Sequence, residues 1–261
     1  MTALSASASS ASDTPLRLAA DELHLWLGAA TTASEPFVRQ VLSRYAAIAP
    51  AQWRFCRNRH GKPAPLQAPR PLAFNLSDSR HWRICAVSAG AAVGVDLEYC
   101  DPQRDVLRLA RRYFSVREMA ALVACDESER RRRFHDYWTL KEACIKARGA
   151  ALGAELEHTA FQLRLSAAAG ASAGDGIGTI LREPPGCNRA HYCLAEPLPD
   201  YRLATCWLPA ARRRPHLRLL HLSPGGAATD LPLRVRAVSA PLAIPRHAPA
   251  RESPVAAGHG V

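Results

Sequence analysis

The stretch that most constrains the fold is residues 82–98, in which two strand-like runs flank a short glycine-containing turn. The runs read WRICAVS and AAVGVDLE, and the turn lies at Ala89–Gly90. Apolar runs of this length with a tight turn between them predict a β-hairpin. Helical patterns follow the hairpin directly, and the chain shows no sign of a regular parallel βαβ sheet. We therefore predict an α+β fold.

Apolar residues at helical spacing predict three further elements, and alternation predicts the rest. The predicted helices are 35–48, 104–124 and 126–148, the last two separated near Cys125. The other predicted strands are 23–27, 161–165 and 202–208. The length of 261 residues permits one large domain or two small ones, and the apolar fraction of 48% is enough for a sizeable core.

Composition divides the chain into four predicted parts. Residues 1–20 form a disordered Ser/Ala-rich lead-in, residues 21–95 an N-terminal half, and residues 96–210 a C-terminal half with the acidic and lysine motifs. Residues 211–261 form a basic tail rich in Pro, Ala and Arg, which we predict to be disordered.

The formal charge of +11 invites a nucleic-acid interpretation, but its distribution argues against one. From Arg212 to the C-terminus there are eight arginines and two acids, so this segment supplies +6 of the total. No zinc-finger, helix-turn-helix or RNP-like pattern accompanies the charge.

The eight cysteines include no CxxC pair of the kind found in zinc sites. No run approaches the roughly 18 apolar residues of a membrane helix, and the N-terminus lacks the features of a secretory signal. We expect a cytoplasmic protein that binds neither nucleic acid nor membrane.

Asp96 and Glu98 stand two apart on a predicted strand, so both carboxylates project from one face. Two neighbouring acids repel each other unless a cation lies between them. A hard divalent ion such as Mg²⁺ fits, because it takes carboxylate oxygens and leaves positions for phosphate and water. The alternative, an exposed strand end with two solvated acids, stays open.

The segment DYWTLKEACIKARG supplies the second half of the predicted site. Lys141, Glu142 and Lys146 neighbour an apolar helical stripe. In one interpretation Glu142 is a third carboxylate beside the metal, while Lys141 and Lys146 hold phosphate oxygens. In the other, Glu142 and Lys146 are an ordinary surface pair that contributes about 0.2–0.5 kcal/mol. The apolar stripe consists of Tyr137, Leu140, Cys144 and Ala147.

Lysine is scarce in this chain, with only Lys62, Lys141 and Lys146 among 34 Lys and Arg residues. Lysine is a compact point charge that suits a phosphate oxygen, whereas arginine is a planar fork. All three lysines lie in motif-like stretches, which favours a phosphate role over compositional bias.

These motifs together resemble the 4′-phosphopantetheinyl transferase superfamily. The resemblance rests on GVDLE, then 39 residues, then WTLKEACIK, with HGKPAP and FNLSDS upstream. It runs from about residue 23 to about residue 208, and the arrangement is similar to the longer, pseudo-dimeric, Sfp-like type. It implies two pseudo-symmetric α+β halves that hold coenzyme A between them. Here the N-terminal half is shortened and lacks the family's basic segment, for which Arg39 and Arg44 are candidate substitutes.

The resemblance also implies an activity: transfer of 4′-phosphopantetheine from coenzyme A to a serine of an apo acyl or peptidyl carrier protein. It implies Mg²⁺ dependence, with Mn²⁺ possible, release of adenosine 3′,5′-bisphosphate, and a monomer whose basic surface attracts an acidic carrier. A catalytically weak or inactive relative that binds carrier protein or coenzyme A is the alternative. The implied roles are metal binding by Asp96, Glu98 and Glu142, catalysis by Glu142 and Lys146, and coenzyme A binding by Lys62, Ser77, Asp78, Lys141 and Lys146.

Asp78 departs from the family pattern, which has histidine at this place in FNxSHS. An aspartate would repel the 3′-phosphate of coenzyme A, since like charges about 4 Å apart cost about 1 kcal/mol in water. We hypothesise that Arg80 or His81 compensates, or that the affinity for coenzyme A is reduced.

Overall fold

The computed structural model describes residues 15–31, 33–165, 177–183, 190–209 and 215–239. These residues form helices and strands in a mixed order, which confirms the predicted α+β class. The helices are α1 (Ser34–Leu42), α2 (Val106–Tyr113), α3 (Val116–Val123), α4 (Glu127–Arg148) and α5 (Leu152–Glu155), with a 3-10 helix at Pro50–Gln52. The strands are β1 (Glu22–Ala29), β2 (Phe55–Arg57), β3 (Pro63–Pro65), β4 (Ala73–Ser79), β5 (Trp82–Ser88), β6 (Ala92–Tyr99), β7 (Ala160–Arg164), β8 (Gly178–Glu183), β9 (His191–Glu196), β10 (Tyr201–Leu208), β11 (His216–Leu222), β12 (Ala228–Leu231) and β13 (Arg234–Val238).

The strands lie in two large sheets and one small hairpin. The first sheet has the order β12-β11-β1-β5-β4, and the second has the order β6-β10-β9-β13-β8-β7. Among the described residues, strands β2 and β3 pair only with each other. Most neighbours are antiparallel, while β1 with β11 and β13 with β8 run parallel.

The predicted hairpin of β5 and β6 is wrong, because the two strands belong to different sheets. The turn between them, with Gly90 at a φ of +81°, is a corner at which the chain leaves one sheet for the other. At one edge of β6, backbone amides donate to side chains of β4 instead of to the backbone carbonyls of a paired strand. The amide of Val95 donates to Asn75 Oδ1 (2.8 Å), and the amide of Tyr99 donates to Ser79 Oγ (2.9 Å).

The prediction of a disordered tail from residue 211 is also wrong for residues 216–238. Strands β11 and β12 complete the first sheet, and β13 lies inside the second. The leucines of HLRLLHL bury their side chains, so local alternation here outweighs the Pro- and Arg-rich average composition. The rest of the predicted tail (211–214 and 240–261) and most of the predicted lead-in (1–14) lie outside the described residues. The division into two related halves stays a prediction.

Helix α4 carries most of the predicted site and is well delimited. Asp126 caps its start by accepting from the amide of Glu129 (2.9 Å), and Gly149 ends it in a left-handed conformation with a φ of 63°. The predicted helix 104–124 divides into α2 and α3, because Ser115 and Glu118 form a capping box that starts a new helix. Helix α4 packs across β6 and β10, and its predicted apolar stripe is buried in the core.

Candidate active site

Strand β6 and helix α4 touch at backbone level beside the predicted acids. A Cβ atom placed on Gly94 would overlap the carbonyl oxygen of Ala143 and the amide nitrogen of Ala147. Only glycine allows this approach, which explains the glycine of GVDLE. The contact brings the side chains of Asp96 and Lys146, from the strand and the helix respectively, to the same place.

Asp96 is the buried centre of the site, with a side chain that is 2% exposed. Its Oδ1 accepts from Lys146 Nζ at 2.6 Å and from Ser77 Oγ at 2.8 Å. Its Oδ2 is buried and has no hydrogen-bond partner among the described residues. A buried carboxylate oxygen without a donor is costly, so a positively charged ligand at this position would stabilise it.

Glu98 and Glu142 complete a group of three acids around Lys146. Burial and the nearby charge of Asp96 raise the pKa of Glu142 to about 8 and that of Glu98 to about 7. Lys146 lies 3.3 Å from Glu142 Oε2, and Arg104 lies 3.2 Å from Glu98 Oε2. Burial alone would lower the pKa of Lys146, but Asp96 and Glu142 outweigh it and raise that pKa. Lys146 is therefore charged, whereas burial and the charge of Asp96 favour the protonated forms of Glu98 and Glu142, and a bound cation would favour their ionised forms instead.

These properties fit a hard divalent cation. Among the described residues, no three acid, histidine or cysteine side chains already lie close enough together to hold a metal ion. The donor set nevertheless consists of carboxylate oxygens, one of them buried and unpartnered, and two of the acids have raised pKa values. Mg²⁺ prefers such oxygen ligands and usually keeps several waters. The assignment of Asp96, Glu98 and Glu142 to a metal stays a proposal.

The segment FNLSDS presents three polar side chains towards β6. Asn75 and Ser79 accept backbone amides of β6, and Ser77 donates to Asp96. Their spacing of two residues follows from the alternation of a strand. The coenzyme A contact that the resemblance implies for Ser77 stays a prediction, and in this structure the Ser77 hydroxyl donates to Asp96. The alternation of Asn75, Ser77 and Ser79 was a signal that sequence reasoning missed.

Lys141 does not belong to the site, which corrects its predicted role in phosphate binding. Its side chain is 0% exposed and lies 2.9 Å from Glu118 Oε2. Its ammonium also donates to the carbonyls of Tyr113 (2.9 Å), Leu156 (3.1 Å) and Thr159 (2.5 Å). Burial lowers its pKa, against the effect of Glu118. The buried pair joins α4 to the ends of α2, α3 and α5.

Lys62 is likewise engaged by protein carbonyls. Its Nζ donates to Val93 (2.8 Å), Lys146 (2.7 Å) and Ala147 (3.2 Å). An ammonium has three donors, and these three carbonyls occupy them, while the coenzyme A contact that the resemblance implies for Lys62 stays a prediction. Burial lowers the pKa of Lys62 to about 8.

Asp78 is paired with a cation other than the two that we predicted. Its Oδ1 lies 3.1 Å from Arg83 Nε, directly across the β4–β5 ladder. Arg80 instead lies over the ring of Tyr99 and 3.7 Å from Asp101. The negative charge of Asp78 is thus neutralised within the protein by Arg83.

Arg39 and Arg44, the candidate substitutes for missing phosphate ligands, also serve the protein itself. Arg39 bonds Glu35 at 2.6 Å and the carbonyl of Trp53 at 2.7 Å, while Arg44 donates to the carbonyl of Gly226. Of the predicted site residues, the structure therefore brings together Ser77, Asp96, Glu98, Glu142 and Lys146. It adds Arg104, which only the fold places beside Glu98.

Comparisons with known proteins agree with this geometry. The model of the 4′-phosphopantetheinyl transferase superfamily matches residues 92–206. The 4′-phosphopantetheinyl transferase Sfp of Bacillus subtilis (strain 168) is 32% identical over 177 residues, 67% of this chain and 72% of Sfp. The transferase psf-1 of Bacillus pumilus is 31% identical over 73% of this chain and 76% of its own length. The transferase HetI of Nostoc sp. is 37% identical over 51% of this chain, and the match spans 56% of HetI, little more than half its length.

No helix in the described parts of the chain is long and apolar enough to cross a membrane. The matched region contains GVDLE and WTLKEACIK, the two segments that form the carboxylate site. With the extent of the match to Sfp and psf-1, these observations establish that the chain belongs to the 4′-phosphopantetheinyl transferase superfamily.

Proposed function

We propose that this chain transfers 4′-phosphopantetheine from coenzyme A to a serine hydroxyl of an apo acyl or peptidyl carrier protein, releasing adenosine 3′,5′-bisphosphate. The observation that carries the proposal is the group of Asp96, Glu142 and Lys146, with one cation between two acids. Displacement at phosphorus requires little else from a protein than positioned charge around the reacting oxygens.

We assign different roles to the acids because their side chains are exposed to different extents. Asp96 is 2% exposed and fixed through Oδ1, so it suits metal binding through Oδ2. Glu142 is 14% exposed and is the acid that we assign to accept the proton of the carrier serine, directly or through a water. Glu98 would be the third metal ligand. Mg²⁺, or Mn²⁺ in its place, would neutralise charge on the pyrophosphate when bound.

Lys146 is the cation that we assign to the pyrophosphate. Its side chain is 19% exposed and remains charged, because Asp96 and Glu142 raise its pKa. It can stabilise the charge that develops on the leaving phosphate oxygen without reorganising.

An acidic acceptor is consistent with the surface next to the site. Helix α2 follows β6 closely and exposes Arg108, Arg111 and Arg112. Such a basic face speeds the encounter with an acidic carrier, and its effect decreases with salt. Cytoplasmic location and a monomeric state stay predictions.

A non-catalytic relative is the second candidate, and the occupied ammonium groups of Lys62 and Lys141 are the observation that favours it. Both lysines bond protein groups, so two predicted phosphate ligands are missing. The test incubates the protein with coenzyme A, Mg²⁺ and apo carriers of fatty-acid, polyketide and nonribosomal-peptide type, and follows intact carrier mass. We expect a phosphopantetheine adduct with Mg²⁺ and none with EDTA. Coenzyme A binding by calorimetry without an adduct on any carrier would favour the second candidate.

A further inference from the structure

Lys62 reaches from the small hairpin to two elements of the active site. It follows the turn between β2 and β3, and its ammonium lies on three carbonyl oxygens. One of these, that of Val93, belongs to β6. The other two, those of Lys146 and Ala147, belong to the last turn of α4.

The side chain of Asn58 fixes the turn between β2 and β3 and also joins it to the end of α4. Asn58 Oδ1 accepts the amide of Lys62 at 2.9 Å, and Asn58 Nδ2 donates to the carbonyl of Gly149 at 2.9 Å. Gly149 is the left-handed residue that ends α4. Two side chains of one turn therefore bind the carbonyls of three residues at the end of this helix, Lys146, Ala147 and Gly149.

The chemistry of a helix end explains why a lysine is found here. The last carbonyls of a helix have no intrahelical donor, and the end carries partial negative charge. An ammonium with three donors satisfies several such oxygens at once. Close by, Gly94 lets β6 and α4 approach to backbone contact. Lys62 thus ties the strand to the helix at the point from which the side chains of Asp96 and Lys146 extend.

We propose that Lys62 is a positioning residue, which holds β6 and α4 at the separation that the Asp96–Lys146 pair requires, and is not a ligand of the nucleotide. Only the catalytic consequence rests on the proposed function, since the tie itself is a property of the fold. A positioning role and a nucleotide contact make opposite predictions in two experiments.

The first experiment uses the scarcity of lysine. Acylation of the wild-type protein, read by peptide mass spectrometry, reports Lys62, Lys141 and Lys146 separately. Coenzyme A at ten times its Kd should slow labelling of Lys146 about ten-fold, while that of Lys62 changes less than about two-fold. Equal protection of Lys62 and Lys146 would overturn the proposal. Protection of neither lysine would contradict the proposed function alone, and the second experiment then decides the role of Lys62.

The second experiment compares Lys62→Met and Lys62→Arg with the wild type by hydrogen exchange and kinetics. Loss of the charged hydrogen bonds should speed exchange about ten-fold at residues 145–149, with helix α1 as the unchanged internal control. Arginine should restore only part of the protection, because its planar fork cannot direct donors at three converging oxygens. We expect kcat to fall about ten-fold with a KM for coenzyme A within about two-fold. Unchanged exchange, or a raised KM with unchanged kcat, would overturn the proposal. The labelling decides the question if Lys62→Met does not fold.

Discussion

Replacing Lys141 by methionine is expected to destabilise the fold severely while leaving the active-site groups in place. Methionine retains most of the volume of the lysine stem, so the change removes the ammonium without opening a large cavity. Glu118 then lies in a fully buried position, 0% exposed, without its cationic partner, while the amides of Ser115 and Phe161 still donate to its carboxylate.

Breaking a buried pair by removing one partner costs about 3–5 kcal/mol. Three carbonyls that now accept from Lys141 lose their donor as well. A domain of this size loses about 2–4 °C of Tm per kcal/mol, so we expect Tm to fall by about 6–20 °C. The additional change Glu118→Gln removes the unpaired charge, and we expect a coupling energy of about 1–3 kcal/mol in the double-mutant cycle.

The assay is urea unfolding followed by tryptophan fluorescence, with calorimetric binding of coenzyme A to the folded protein. Lys146→Met is the matched control, because it makes the same change on the same helix at a side chain that is 19% exposed. It should lose transfer activity with a smaller loss of stability. The reasoning is refuted if Lys141→Met unfolds within about 1 kcal/mol of the wild type and binds coenzyme A more weakly, as a phosphate ligand would.

Two further predictions concern packing and acid stability. A Cβ at position 94 would overlap Ala143, so Gly94→Ala should lower the free energy of unfolding by at least about 1–3 kcal/mol. At Gly153, apart from the adjoining backbone, the described residues leave a Cβ without a contact within 4 Å, so Gly153→Ala should cause no such loss. Equal Tm values for the two variants would contradict this prediction. Burial lowers the pKa of His24 from 6.5 to about 4, so the neutral ring favours folding above pH 6.5 and this contribution is lost as the pH falls to 4. The free energy of unfolding, measured with urea, should therefore fall by about 3 kcal/mol between pH 7 and pH 4, and by less in His24→Gln. If the free energies of the wild type and of His24→Gln depended on pH in the same way, the prediction would be contradicted.

The sequence predicted the positions of helices and strands better than it predicted which strands pair with each other. Helical and strand periodicity are local properties, and they placed β1, β10 and α4 correctly. Strand pairing is not local. The edge of β6 is satisfied by Asn75 and Ser79 on β4, so the short turn after β5 became a corner between sheets. The strands after residue 215 were missed because composition was averaged over a Pro- and Arg-rich segment.

The sequence predicted those site residues that share one face of a single helix or of a single strand. Asp96 and Glu98 share a strand face, and Glu142 and Lys146 are four apart on one helix face. Lys141 is five residues from Lys146, which places it about 140° around the helix, on the side that packs into the core. The contacts of the Lys62 side chain could not be predicted from the sequence, because they depend on where the β2–β3 hairpin meets the end of α4.

The central claim is that the acids around Lys146 carry the transfer reaction, and two matched substitutions test it directly. Asp96→Asn and Asp78→Asn make the same change in two neighbouring strands, one inside the carboxylate group and one paired with Arg83. The measurement is the initial rate at which an apo carrier gains the phosphopantetheine mass in the presence of Mg²⁺. We predict that Asp96→Asn slows the rate at least about 100-fold, whereas Asp78→Asn stays within about three-fold of the wild type. Comparable rates for the two variants, or near wild-type transfer by Asp96→Asn, would contradict the account.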